Sequence, residues 1–81
     1  MHWNKVSEVG FPKLPDGIDS MLCICAFKRL AGKPKSYICK YEKTYAGGKT
    51  TERWKDYYGD YYIKNTDNII AWMPVPQYVN D

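Results

Sequence analysis

Three cysteines, Cys23, Cys25 and Cys39, are the residues of this chain best suited to metal or redox chemistry. If Cys23-x-Cys25 lies on one strand and Cys39 on its neighbour, three thiolates come close together. Zinc takes four ligands in a tetrahedron, usually from pairs separated by two to four residues, and alternate positions on a flat strand do not build that knuckle. His2, the only histidine, would have to complete the set from the terminus. An odd cysteine count without a secretion signal points to reduced thiols, which pack as small hydrophobes. Buried structural cysteines are therefore expected, with no metal and no other cofactor.

Other chemistry has less to stand on. Gly48-Lys49-Thr50 matches the end of a phosphate-binding P-loop, but Lys43 stands where that motif needs its first glycine. The motif also requires a buried strand before it and a helix after it, within a larger α/β sheet. An ordinary loop is the expectation. His2 is the only imidazole available as a general acid or base, no serine has a visible base partner, and the carboxylates are scattered among polar turns. No nucleophile–base–orienter set can be named, so the chain reads as non-enzymatic.

Charge and aromatics carry a stronger signal. Net charge is +3, but residues 28–55 hold nine basic and two acidic residues, leaving the remainder at −4. A basic middle attracts phosphate unless the ends neutralise it on folding. Lys35, Tyr37, Lys40, Tyr41 and Lys43 interleave cations with rings, the composition of a surface on which single-stranded nucleic acid stacks. The competing reading is that aromatics are strand formers filling a core, with lysines guarding sheet edges.

These residues must be positioned by strands. Met21-Leu22-Cys23-Ile24-Cys25-Ala26-Phe27 is an apolar run of strand length, and a turn at Gly32-Lys33-Pro34 leads to a partner over 36–43. There Ile38, Lys40 and Glu42 alternate with Tyr37, Cys39 and Tyr41, the period of a half-exposed strand. Tyr45 to Lys49 reads as a loop. Within 50–64, the tyrosine pairs around Gly59-Asp60 suggest a type II′ hairpin, or else one strand bent by a bulge. Ile69 to Met73 is the final strand. Residues 1–20 are read as an extended lead-in, with Trp3 and Val6 on the core. Ser7-Glu8 can open a helical turn that Gly10 and Pro12 stop, and Leu14-Pro15-Asp16-Gly17 is a β-turn. Pro74 and Pro76 lack an N–H, so the chain should leave the sheet at Trp72. The expected fold is mainly β, with a small α+β variant allowed: one antiparallel sheet of three to five strands in a single domain, 1–81.

Trp3, the Leu14-Pro15-Asp16-Gly17 turn before Met21-Leu22-Cys23-Ile24, and the closing Ile70-Ala71-Trp72-Met73-Pro74-Val75-Pro76 together resemble a small phage and prophage family. That family is known as domain of unknown function 551. Its members share a Trp-led opening, a Leu-Pro turn before an aliphatic strand, and a Trp-Met-Pro-Leu-Pro close. The resemblance frames both ends of the chain and implies a phage or mobile-element origin. It supplies no catalytic residues. A physical expectation goes with it: Trp3, Pro15 and Trp72 cluster, with Pro74 and Pro76 completing the structural anchor.

No apolar run is long enough for a membrane-spanning helix and the first residues lack a leader's apolar stretch, so a cytoplasmic location is expected. The combined reading is a non-catalytic accessory protein that binds an unidentified protein partner. Single-stranded nucleic acid is the alternative, and free sheet edges leave dimerisation open.

Overall fold

The structure, a computed structural model, describes residues 2–76. In chain order the elements are β1 (Asn4–Lys5), a one-turn helix α1 (Val6–Val9), β2 (Ser20–Phe27), β3 (Lys35–Ala46), β4 (Lys49–Lys55), a 3₁₀ turn (Thr66–Asn68) and β5 (Ile69–Pro74). The strands form one antiparallel sheet in the order β1-β5-β2-β3-β4. The fold is mainly β, as the alternation of apolar and polar residues implies.

The apolar run Met21–Phe27 becomes β2, which pairs with β3 on one side and β5 on the other. β3 is longer than expected and runs directly into β4. Gly47 and Gly48 form the two-residue link, with φ of 57° and 76°. Two successive positive φ values describe the tight hairpin turn that follows strand twist. The expected loop at Tyr45–Lys49 is therefore part of a continuous hairpin, with Ala46 paired to Lys49. After β4 the chain turns at Asp56–Gly59 (Gly59 N–H to Asp56 O, 3.0 Å) and returns to bridge Tyr62 to Lys55. The expected hairpin exists in rudiment, with Gly59 and Asp60 inside its connection, but that connection, between Asp56 and Tyr61, is wider than two residues.

Two turns shape the lead-in. Gly10 (φ 73°) ends α1, its N–H bonding Val6 O at 2.9 Å. The proline turn is shifted one residue from the expected frame: Ile18 N–H bonds Pro15 O at 3.0 Å, and Gly17 takes the third position with φ 85°. Positive φ at that position is the type II requirement for glycine.

β5 does not leave the sheet at Trp72. Met73 pairs with Ile24, Pro74 pairs with Cys23, and Val75 N–H bonds Leu22 O at 2.9 Å. Donors alternate sides along an antiparallel strand. With Val75 donating toward β2, Pro74 and Pro76 fall where an N–H would point to the outer edge. β1 covers that edge only at Ala71 and Trp72. The prolines thus remove donors from an open edge, a position where proline is tolerated in a sheet and discourages edge pairing.

Residues opposed across antiparallel strands share a face. One face carries Cys23, Cys25, Cys39, Tyr41 and Trp54, which form the core with Leu14 and Ile69. The lead-in covers it: Phe11 meets Trp54 edge-on (centroids 5.8 Å apart, 90°) and lies 6.3 Å from Tyr41, and Val6 and Ile63 pack beside them. Burial pushes the Cys23 thiol up to about 11, aided by Cys39. Burial and then the Glu52 carboxylate push Tyr41 up to about 12. At these two groups the folded chain keeps protons that the unfolded chain loses first, so the stability they contribute is fully present below pH 9 and is lost as pH rises through the window from 9 to about 12. Melting temperature followed by circular dichroism should decline across that window, and less steeply in Cys23→Ala. Equal slopes in the two proteins would show that Cys23 does not contribute.

Candidate functional site

The three thiols are structural in placement. Cys23 faces Cys39 across β2 and β3, Cys25 lies two residues along the same face, and all three are free and buried. A hydrogen bond with Cys39, followed by burial, pushes Cys25 above the usual thiol range, and the same bond holds Cys39 below it. Cys23 and Cys25 are fully enclosed, and Cys39, only 3 % exposed, borders the cavity between β3 and the connection after β4. Among the described residues no group of three or more His, Cys, Asp or Glu is arranged to hold a metal ion.

The five basic and aromatic residues do not form one surface. Lys35 and Tyr37 stay together, with Lys35 Nζ 5.5 Å from the centre of the half-exposed Tyr37 ring. Tyr41 is on the same face but lies in the core at 5 % exposure, its hydroxyl donating to Glu52 Oε2 at 3.2 Å. No base can stack on it. Lys43 is about 20 Å along the strand from Tyr37, at about 3.3 Å per residue. Lys40 points from the opposite face, where its Nζ lies beneath Gly59. Period two explains the separation: the even-numbered lysine cannot share a face with the odd-numbered tyrosines.

The expected anchor is also divided. Asn4 pairs with Trp72 and Lys5 with Ala71, so Trp3 lies on the face away from Trp72 and is 39 % exposed. Pro15 is exposed on the lead-in, where Pro12 and Leu14 are the buried residues. Trp72 is half-buried against the core, and its Nε1–H donates to Gly10 O at 2.8 Å. The real tie between the two ends of the chain is this hydrogen bond. Pro74 and Pro76 are exposed and act on the edge rather than in a cluster.

The sheet's second face is the feature that the linear pattern did not isolate. Leu22, Ile24, Ile38 and Met73 lie together there by register, on three adjacent strands. Ile38 is 42 % exposed, and Trp3 and Ile70 extend the patch toward β1, where they line a cavity of about 500 Å³. A polar border runs along β4: Lys55 bonds Glu42 at 2.7 Å, and the Tyr62 ring lies under both Arg53 (5.2 Å) and Lys55 (4.9 Å). The Glu42 bond raises the Lys55 pKa. The alternation of Ile38, Lys40 and Glu42 contains half of this face, but its partners on β2 and β5 become visible only with the register.

Compared with protein-family models, with curated proteins and with solved structures, the chain matches none.

Proposed function

We propose that this protein is a small non-catalytic accessory module, of the phage or prophage type that its two ends resemble, and that it binds a partner protein through the open face of its sheet. The observation that carries the reading is the asymmetry of the sheet. One face is covered over part of its length by the lead-in, while the other presents Leu22, Ile24, Ile38 and Met73, with Trp3 and Ile70 beside them. Scattered apolar side chains are ordinary on a monomer, but a contiguous apolar patch rimmed by polar residues marks an interaction surface. The Lys55–Glu42 pair and the cations over Tyr62 supply such a rim, which fits the apolar centre and polar border of protein interfaces.

Side-chain chemistry supports a binding role over a catalytic one. His2 is exposed at the terminus and the thiols are enclosed. The test is affinity capture from host extract by the wild-type chain and by Ile38→Asp. Ile38 is exposed enough for the variant to fold, and circular dichroism should give matching melts. A partner captured by the wild-type chain should be lost at least about tenfold with Ile38→Asp, as for a central interface residue. Equal capture by both proteins would reject the open face as the binding surface.

A further inference from the structure

The core-facing side of the sheet is sealed over only part of its length. Where β2 ends and β3 begins, a cavity of about 560 Å³ opens between the sheet and the connection that follows β4. A volume of that order is typical of a small-ligand site and far above a packing void. Phe27 and Tyr37 form one wall, edge-to-face with centroids 5.6 Å apart at 73°. Tyr57 lines the cavity from the connection, supported edge-on by Tyr58 at 5.2 Å. Tyr37 and Tyr57 are each 50 % exposed, so both rings have surface to give to a ligand.

Arg29 and Lys35 also line the cavity, with the Lys35 ammonium over the Tyr37 ring. The one carboxylate in the lining is Asp56. Its Oδ1 accepts the backbone N–H groups of Asp60 (2.8 Å) and Tyr61 (3.1 Å), which spends part of its charge on holding the turn. Asn65 lines the same wall and carries an amide with both donor and acceptor groups.

We propose that this cleft binds a planar aromatic base carrying a phosphate, with the base against Tyr37 and Tyr57 and the phosphate on Arg29 and Lys35. Apolar walls with a few convergent polar groups make a ligand site. Aromatic rings beside cations are the combination that engages bases and their backbone. The site retains Lys35 and Tyr37 from the linear basic-aromatic pattern and replaces Lys40, Tyr41 and Lys43 with Arg29 and Tyr57. It adjoins the open apolar face at Ile38, which also lines the cavity, whereas Arg29, Lys35, Tyr37 and Tyr57 are not part of the patch proposed for partner binding. The same chemistry is offered by a nucleotide within a single strand and by a free mononucleotide.

The test is fluorescence anisotropy with a labelled oligothymidylate at low and raised salt, with thymidine 5′-monophosphate and inorganic phosphate as competitors. Binding is expected at low salt and should weaken as salt rises, because counterions are released on association. Tyr37→Ala and Tyr57→Ala should each weaken it roughly 5- to 150-fold, the worth of one stacked base, and the Phe variants should restore most of it. Arg29→Ala and Lys35→Ala should each reduce the salt slope by about 0.7, the value for one phosphate contact on a single strand. Competition by the mononucleotide identifies the free nucleotide as the source of the base; its failure to compete identifies the strand. The proposal is overturned if neither probe binds at low salt or if phosphate alone competes as well as the nucleotide. Binding that survives both alanine substitutions at the tyrosines would also overturn it.

Discussion

Trp54→Ala is expected to lose a large share of the chain's stability and to unfold at a much lower urea concentration than the wild type. Among the described residues Trp54 is the largest fully buried side chain, 2 % exposed, and its ring meets both β3 and the lead-in. The ring packs tilted against Tyr41 of β3 (4.7 Å, 58°) and meets Phe11 of the lead-in edge-on, while the Trp54 backbone carbonyl accepts the Ile63 N–H at 3.0 Å. Truncating a buried tryptophan costs about 3–5 kcal/mol. A domain of this length has roughly 4–12 kcal/mol of stability in total, so the variant loses a large share of it. The indole Nε1–H has no hydrogen-bond partner among the described residues. Such an orphan costs about 1–3 kcal/mol, so Trp54→Phe should be far milder than Trp54→Ala. Urea unfolding of the three proteins measures the difference. If Phe proves as damaging as Ala, an unseen partner of Nε1 is the cause and the orphan account fails.

Trp72→Ala should cost about 2–3 kcal/mol, less than truncation of a fully buried tryptophan, because Trp72 is only half-buried and gives up partial packing together with one hydrogen bond. That bond, from Nε1 to Gly10 O, closes a separation of 62 residues. It ties the turn that ends α1 to β5. Trp72→Phe keeps most of the packing and deletes the bond, and about 1 kcal/mol should be lost. Amide exchange would locate the effect: the Gly10 N–H, bonded to Val6 O, should lose protection before the β2–β3 ladder does. Uniform loss of protection, or none, would show that the lead-in is held by Phe11 and Leu14 without help from Trp72.

Much of the sheet was legible in linear form. The apolar run at Met21–Phe27 and the alternation around Cys39 each contain the period of a strand, and β2 and β3 appear where those patterns lie. The stretch Tyr45–Lys49 reads in sequence as a loop, and the structure makes Gly47-Gly48 the two-residue link of a hairpin. Its two positive φ values fit only a tight turn. The prolines of β5 misled for a different reason. Proline does remove a donor, but whether the loss falls inside the sheet or at its edge depends on which way that residue faces. Pro74 faces outward, so β5 continues.

The site was legible in part. Lys35 and Tyr37 are neighbours in both sequence and space, whereas Arg29 and Tyr57 reach the same cleft from connections that no local pattern links to them.

The sequence by itself determined that this chain is a small β sheet with reduced, buried cysteines and a lead-in punctuated by glycine and proline. Those properties depend on side-chain type and local period, which act over a few residues. Only the tertiary structure decided which face is sealed. A shift of one residue in strand pairing exchanges every side chain between the two faces. The pairing here is set by contacts far apart in the chain, such as Asn4 with Trp72 and Cys25 with Trp72. That register placed Tyr41 and Trp54 inside and Ile38 outside. It separated Trp3 from Trp72, and so moved the meaning of the closing Trp-Met-Pro segment from a cluster of aromatics to a hydrogen-bonded clasp with a guarded edge.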